Sequence, residues 1–171
     1  FDRILKKDRD EFMEHMYAME WLGGTLSHLF IHEGSTIYED VLKSSINNPQ
    51  HCDEALSGSF SCASYNYNMP NKRERIYALL ELIIQEIPEC ANLTRCQKDL
   101  CDCINKIGID NELTIKLLMK YSESKLSILR EDLIQTIMSL PPSHIETQAQ
   151  ITLNLTKSIT RYYPDNFKEL V

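Results

Sequence analysis

Six cysteines and five histidines are the residues of this 171-residue chain most able to do chemistry. Cys52, Cys62, Cys90, Cys96, Cys101 and Cys103 fall in its middle and nowhere else. Structural zinc sites use ligand pairs about two to four residues apart, whereas the gaps within this group include nine, five, four and one intervening residues. An even cysteine number fits disulfides better, and disulfides persist in oxidising compartments. Cys101 and Cys103 lie on opposite sides of one helix and should reach different partners, while Cys96 and Cys103 share a face. Cys52 with Cys62 is the expected local pair. Two further motifs point outward from the cell: Asn92-Leu93-Thr94 and Asn154-Leu155-Thr156 are N-glycosylation sequons.

Other chemistry finds little support. His28 and His32 are four apart on one helix, with Glu33 beside them and Glu11, Glu14 and His15 further up. Bundle metal sites need matching residues from several helices, and beyond the middle of the chain the sequence offers His144 alone. These histidines are expected to be surface or boundary residues, with no metal and no cofactor. There is no G-x-S-x-G, phosphate loop or H-E-x-x-H. Glu123, Glu131 and Asp132 read as a solvated helix face. The chain is expected not to be an enzyme. Met13, Met16, Met19, Trp21 and Phe30 crowd the first helix and are expected to pack in the core, as Met commonly fills irregular gaps.

The elements that would position these residues are helical. The net charge of −7 and the scattered basic residues argue against nucleic acid or an anionic membrane surface as partner. No apolar run approaches the roughly 20 residues needed to span a bilayer. A chain of this length suits one domain, residues 1–171. Its first residue is Phe1, which suggests a processed protein or an excised piece of a longer one.

Leucines and phenylalanines at helical spacing mark a first helix to Ile31, interrupted by Gly23-Gly24. Two glycines there imply a kink or the close approach of another backbone. Gly34 ends this helix, and Thr36 opens a second that closes at Asn47-Asn48-Pro49. Residues 49–71 read as an irregular loop pinned by a disulfide. A helix then runs to Pro88. Thr94 to Gln97 is a capping box for a short helix to Ile107, with Gly108 after it.

The most regular surface is a helical hairpin over residues 110–163. Asp110 caps its first helix, in which Ile115, Leu118, Leu126, Leu129, Leu133, Ile137 and Leu140 form one stripe. Pro141-Pro142 stops it, and Ser143 with Glu146 restarts the chain as a capping box. Ile145, Ala149 and Leu153 form one stripe of the second helix, and Ile151, Leu155, Ile159 and Tyr162 another. Asn154 lies between them, so a glycan there would limit burial. No segment alternates with period two. The expected fold is all-α, a disulfide-stabilised multi-helix bundle with an irregular cysteine-containing loop.

Within residues 126–159, Leu133-x-x-x-Ile137-x-x-Leu140-Pro141, a short polar link, and Ile145-x-x-x-Ala149-x-x-x-Leu153-x-x-Thr156 resemble a helical hairpin of polycystin-family and receptor-for-egg-jelly proteins. There it belongs to the helical part of the membrane-proximal extracellular module. The resemblance implies an extracellular segment of a large membrane protein associated with a cation channel. The family's cleavage motif is missing, since His28-Leu29-Phe30 lies in a helix, so self-cleavage does not carry over. The expected function is a non-catalytic extracellular binding module, part of a receptor or channel ectodomain, whose partner is a protein or the rest of that membrane protein. The alternative is a secreted helical ligand, cytokine-like, or a carrier of an apolar small molecule.

Overall fold

The computed structural model describes residues 2–34, 36–88, 92–126 and 128–162, with side chains between Met13 and Ser158. The described backbone forms eight α-helices and no strand beyond one isolated bridge. They are α1 (Asp2–Glu33), α2 (Thr36–Asn47), α3 (Cys52–Asn66), α4 (Arg73–Glu86), α5 (Gln97–Ile107), α6 (Glu112–Ser122), α7 (Glu131–Met138) and α8 (Ile145–Tyr162). Short 3-10 turns at Pro70–Lys72 and Pro142–His144 precede α4 and α8. The helices pack as a bundle, as the 3.6-residue periodicity predicts. None of the described helices is long and apolar enough to cross a membrane.

The bundle is organised around the pairing of α1 with α3. Burying side chains such as Leu56, Phe60, Leu80, Ile83, Leu100 and Ile104, all 0% exposed, contributes about 1.5–3 kcal/mol each. Gly34 and Gly108 end α1 and α5 with φ of +67° and +114°, a backbone region that only glycine enters readily. Both stops agree with the sequence reading, as does the end of α2 before Pro49.

Several expectations need correction. Residues 49–71 are mostly helix: α3 fills the stretch read as an irregular loop. Its Ser, Gly, Asn and Cys residues are poor helix formers, and packing on α1 overrides that preference. This also removes the Cys52–Cys62 bridge. Ten residues along one helix separate two Cα atoms by about 15 Å, and a disulfide needs less than about 7 Å. No disulfide joins any two of the described cysteines, and Cys90 lies outside the described residues.

The single long helix expected from Asp110 to Leu140 is two helices. The described residues between α6 and α7 are held non-helical by partners elsewhere. Leu93 N–H donates to the Lys125 carbonyl at 3.1 Å, and Leu126 N–H donates to Ser158 Oγ at 2.8 Å. The buried Gln97 side chain donates to the Ile128 carbonyl at 2.7 Å and accepts from Arg130 N–H at 2.9 Å. Asn111, not Asp110, caps α6, its Oδ1 accepting from Leu113 N–H at 2.9 Å. Pro141 and Pro142 do separate α7 from α8, but Ser143 lies inside the 3-10 turn. Chain reversal there is antiparallel: Gln148 donates to the Ile137 carbonyl at 3.0 Å, and Ile134 lines one cleft with Thr152 and Leu155 further along α8.

Candidate binding groove

The groove begins with the glycines. Gly23 in α1 faces the Ala55 backbone so closely that a Cβ on it would stand 2.3 Å from the Ala55 carbonyl oxygen. Gly24 meets Gly58, and Gly58 meets the Glu20 carbonyl. The Gly23-Gly24 pair therefore marks a close backbone approach, and α1 runs through it as one helix. Ser27 Oγ donates to Ser59 Oγ at 2.9 Å inside the seam, and His32 Nε2 lies 3.0 Å from Asn66 Oδ1 at its far end. The contact pairs advance together along both chains, so the two helices run parallel.

On the solvent side of this seam the small residues leave a groove of about 660 Å³. Its walls carry Tyr17, Glu20, Trp21 and Thr25 from α1, and Cys62 and Tyr65 from α3. Tyr17, Trp21 and Tyr65 are 57%, 71% and 79% exposed. Large aromatic rings gain about as much from burial as any side chain, yet these three stand together in water. Trp21 was expected in the core with Phe30; Phe30 is buried and Trp21 is not.

One end of the groove is fixed by a charge arrangement that spans three segments. Asp53, in the first turn of α3, accepts backbone N–H bonds from Thr94 (3.0 Å), Arg95 (2.7 Å) and Cys96 (2.9 Å). This carboxylate holds the segment just ahead of α5, whose N-cap residue is Cys96 rather than the Thr94 expected from the sequence, and the Thr94 hydroxyl donates to Asn92 Oδ1 at 3.0 Å. The pinned segment sends Arg95 to Glu20, 2.6 Å away, with the guanidinium 5.4 Å from the centre of the Tyr17 ring. A half-exposed pair of this kind contributes little stability. Its effect is to hold Tyr17 in place by a cation–π contact.

The thiols are poorly suited to nucleophilic work. Burial pushes the Cys62 thiol up to about 11, partly opposed by the Asn66 amide. Burial, then Asp102, pushes Cys103 up to about 12. Cys96 and Cys101 are also raised, chiefly by burial, with Asp53 adding to the shift of Cys96. A thiol is a nucleophile as its thiolate, so these stay protonated near neutral pH. Cys101 and Cys103 are both buried, consistent with a helix, α5, covered on opposite sides. His28 and His32 stack with ring centres 4.2 Å apart. Among the described residues no three His, Cys, Asp or Glu side chains gather as a metal site.

The two sequons stand in different surroundings. Asn92 is exposed ahead of α5. Asn154 is half-buried on α8, its amide turned onto α6. Within the C-terminal hairpin Leu133, Ile137 and Leu140 are buried, as are Ile151 and Leu155. The other α8 stripe is not covered: Ile145 is 65% and Leu153 47% exposed, and Ala149 is exposed too. Ile159 and Tyr162 lie outside the described side chains.

The groove was legible in part. Trp21 and Leu26 are five residues apart, which places them about 140° apart around a helix; Tyr17 and His28 fall on the Trp21 side. A helical-wheel reading therefore separates Trp21 from the core stripe. The α3 wall gave a weaker signal: Cys52, Leu56, Phe60 and Ala63 recur at helical spacing and are buried, but the Ser, Gly and Asn residues among them read as loop. Compared with known proteins, the chain matches no family model, no curated protein and no solved structure.

Proposed function

We propose that the chain is an extracellular, non-catalytic helical module that binds a protein, or the remainder of a larger membrane protein, through the α1–α3 groove. The observation that carries this reading is the convergence of exposed Tyr17, Trp21 and Tyr65 on one concave surface with a glycine floor. Trp and Tyr dominate the energetics of protein contacts when they fill a partner's pockets. Here they are already held on rigid helices, so little ordering cost remains on binding.

The extracellular part rests on the sequons and on six cysteines, with residues 126–159 suggesting the ectodomain of a receptor or channel-associated protein. Disulfide stabilisation belongs to the same reading. Oxidation would draw on the thiols at the starts of α3 and α5, where Cys52 and Asp53 both stand near enough to Cys96 to act on its thiol. A carrier of an apolar small molecule is the second reading, favoured by a cleft between α7 and α8 lined by Ile134, Met138 and Leu155. At about 190 Å³ it is smaller than the usual ligand pocket of about 300–1,000 Å³. The groove is therefore the stronger candidate.

An antibody against the folded chain tests the location. It should label intact cells that express the natural gene as strongly as permeabilised ones. Labelling only after permeabilisation, together with six titratable thiols in the native protein, would overturn the reading.

A further inference from the structure

We infer that Asn92 is the glycan-bearing residue of the two sequons and that Asn154 is unmodified in the folded protein, an inference that rests on the extracellular reading. N-glycosylation joins asparagine Nδ2 to C1 of a sugar delivered as a lipid-linked oligosaccharide pyrophosphate. The C1–O bond breaks with its electron pair leaving on the lipid pyrophosphate, the N–C1 bond forms, and one amide proton is released. One hydrogen on Nδ2 thus gives way to a sugar ring, and that nitrogen must have open solvent beside it in the finished fold.

Asn92 meets this requirement. It is exposed, and its Oδ1 accepts the Thr94 hydroxyl at 3.0 Å. Leu93, between them, is 0% exposed and anchors the sequon, while Asp53 fixes the amides that follow. The motif is presented in one geometry, with its asparagine outward.

Asn154 does not meet it. Its Nδ2 lies 3.1 Å from Ser122 Oγ and 4.0 Å from Met119 Sδ, both on α6. Its Oδ1 accepts from Gln150 Nε2 at 2.9 Å. Ser122 is 2% exposed, so a sugar on this nitrogen would have to pass between α6 and α8. Transfer to the growing chain precedes folding, and a chain modified at Asn154 would not close this seam. The protein that folds is the one with Asn154 bare. The uncovered α8 stripe through Ile145, Ala149 and Leu153 then stays free of sugar. The glycan stands instead near the Arg95 end of the groove, three residues along the chain.

Site occupancy decides the matter. The chain is expressed behind a supplied secretion signal in cultured animal cells, and the secreted, folded monomer is mapped by glycopeptide mass spectrometry. Asn92 should carry a glycan and Asn154 none; Asn92→Gln should remove the whole mass shift, and Asn154→Gln should leave it unchanged. The wild-type map is sufficient even if a variant folds poorly. Occupied Asn154 in folded protein, or empty Asn92, would overturn the inference. Because the secretion signal is supplied, a natural chain found inside cells would overturn the location alone.

Discussion

Gly58 of α3 touches the backbone of Glu20 in α1: a Cβ at position 58 would stand 2.0 Å from the Glu20 carbonyl oxygen. Neither backbone can yield without parting the two helices. Gly58→Ala should therefore destabilise the protein by about 1–3 kcal/mol or more through overpacking. Gly24→Ala is the contrast, since its nearest neighbour would be 3.4 Å away and removing a helical glycine recovers about 0.5–1 kcal/mol. Urea denaturation of both variants checks the pair. Equal stability for the two would show that α1 and α3 are not packed this closely.

Asp53 is the next test, because three backbone amides depend on one carboxylate. Removing it leaves the N–H of fully buried Cys96 without an acceptor, at a cost of about 1–3 kcal/mol for that group alone. Asp53→Ala should lower the melting temperature and speed hydrogen exchange at residues 94–96 ahead of the rest of the protein. Unchanged protection there would mean that this loop is held by something else.

Exposed and buried apolar residues should separate cleanly on truncation. Trp21→Ala and Tyr65→Ala should each change stability by no more than about 0.5 kcal/mol, the usual range for surface positions. Leu133, 1% exposed, should cost about 2–5 kcal/mol when cut to alanine. A large loss at Trp21, or none at Leu133, would reverse the assignment of groove and core.

Alkaline pH should weaken the reduced protein. A thiol ordinarily ionises near 9.0, but the fold holds Cys62 at about 11 and Cys103 at about 12. Below 9 the folded and unfolded chains both keep these protons. Above it the unfolded chain releases them while the folded chain does not, so stability falls as pH rises through 11 and 12. Melting temperature recorded in reductant between pH 7 and pH 11 should show this fall, and Cys103→Ala with Cys62→Ala should make it shallower, the remainder belonging to Cys96 and Cys101. The same slope in the double variant would assign the loss to other groups.

Helix ends were the most legible part of the fold, because the signals are local: glycine at 34 and 108, proline after α2, α4 and α7. The all-α class followed from periodicity in the same way. What the sequence obscured depends on contacts between distant segments. α3 has weak intrinsic helix preference and forms because its small residues let it lie against α1. The break after Ser122 is invisible locally, since it is imposed by Leu93, Gln97 and Ser158, up to 36 residues away in the chain. The entry to α5 likewise depends on Asp53 of α3, which holds the amides of residues 94–96 just ahead of the helix. As for the site, one wall was present in the spacing of Tyr17 and Trp21, whereas Tyr65 joined it only through the fold of α3.

The most direct test of the binding role is site-specific photo-cross-linking on intact cells. The full-length protein carries a photoreactive phenylalanine at position 21, at position 65, or at Lys116, an exposed residue of α6 away from the groove. A partner held in the α1–α3 groove predicts a discrete cross-linked product from positions 21 and 65 and none from 116. Cross-linking that is absent at 21 and 65, or equal at all three positions, would contradict it.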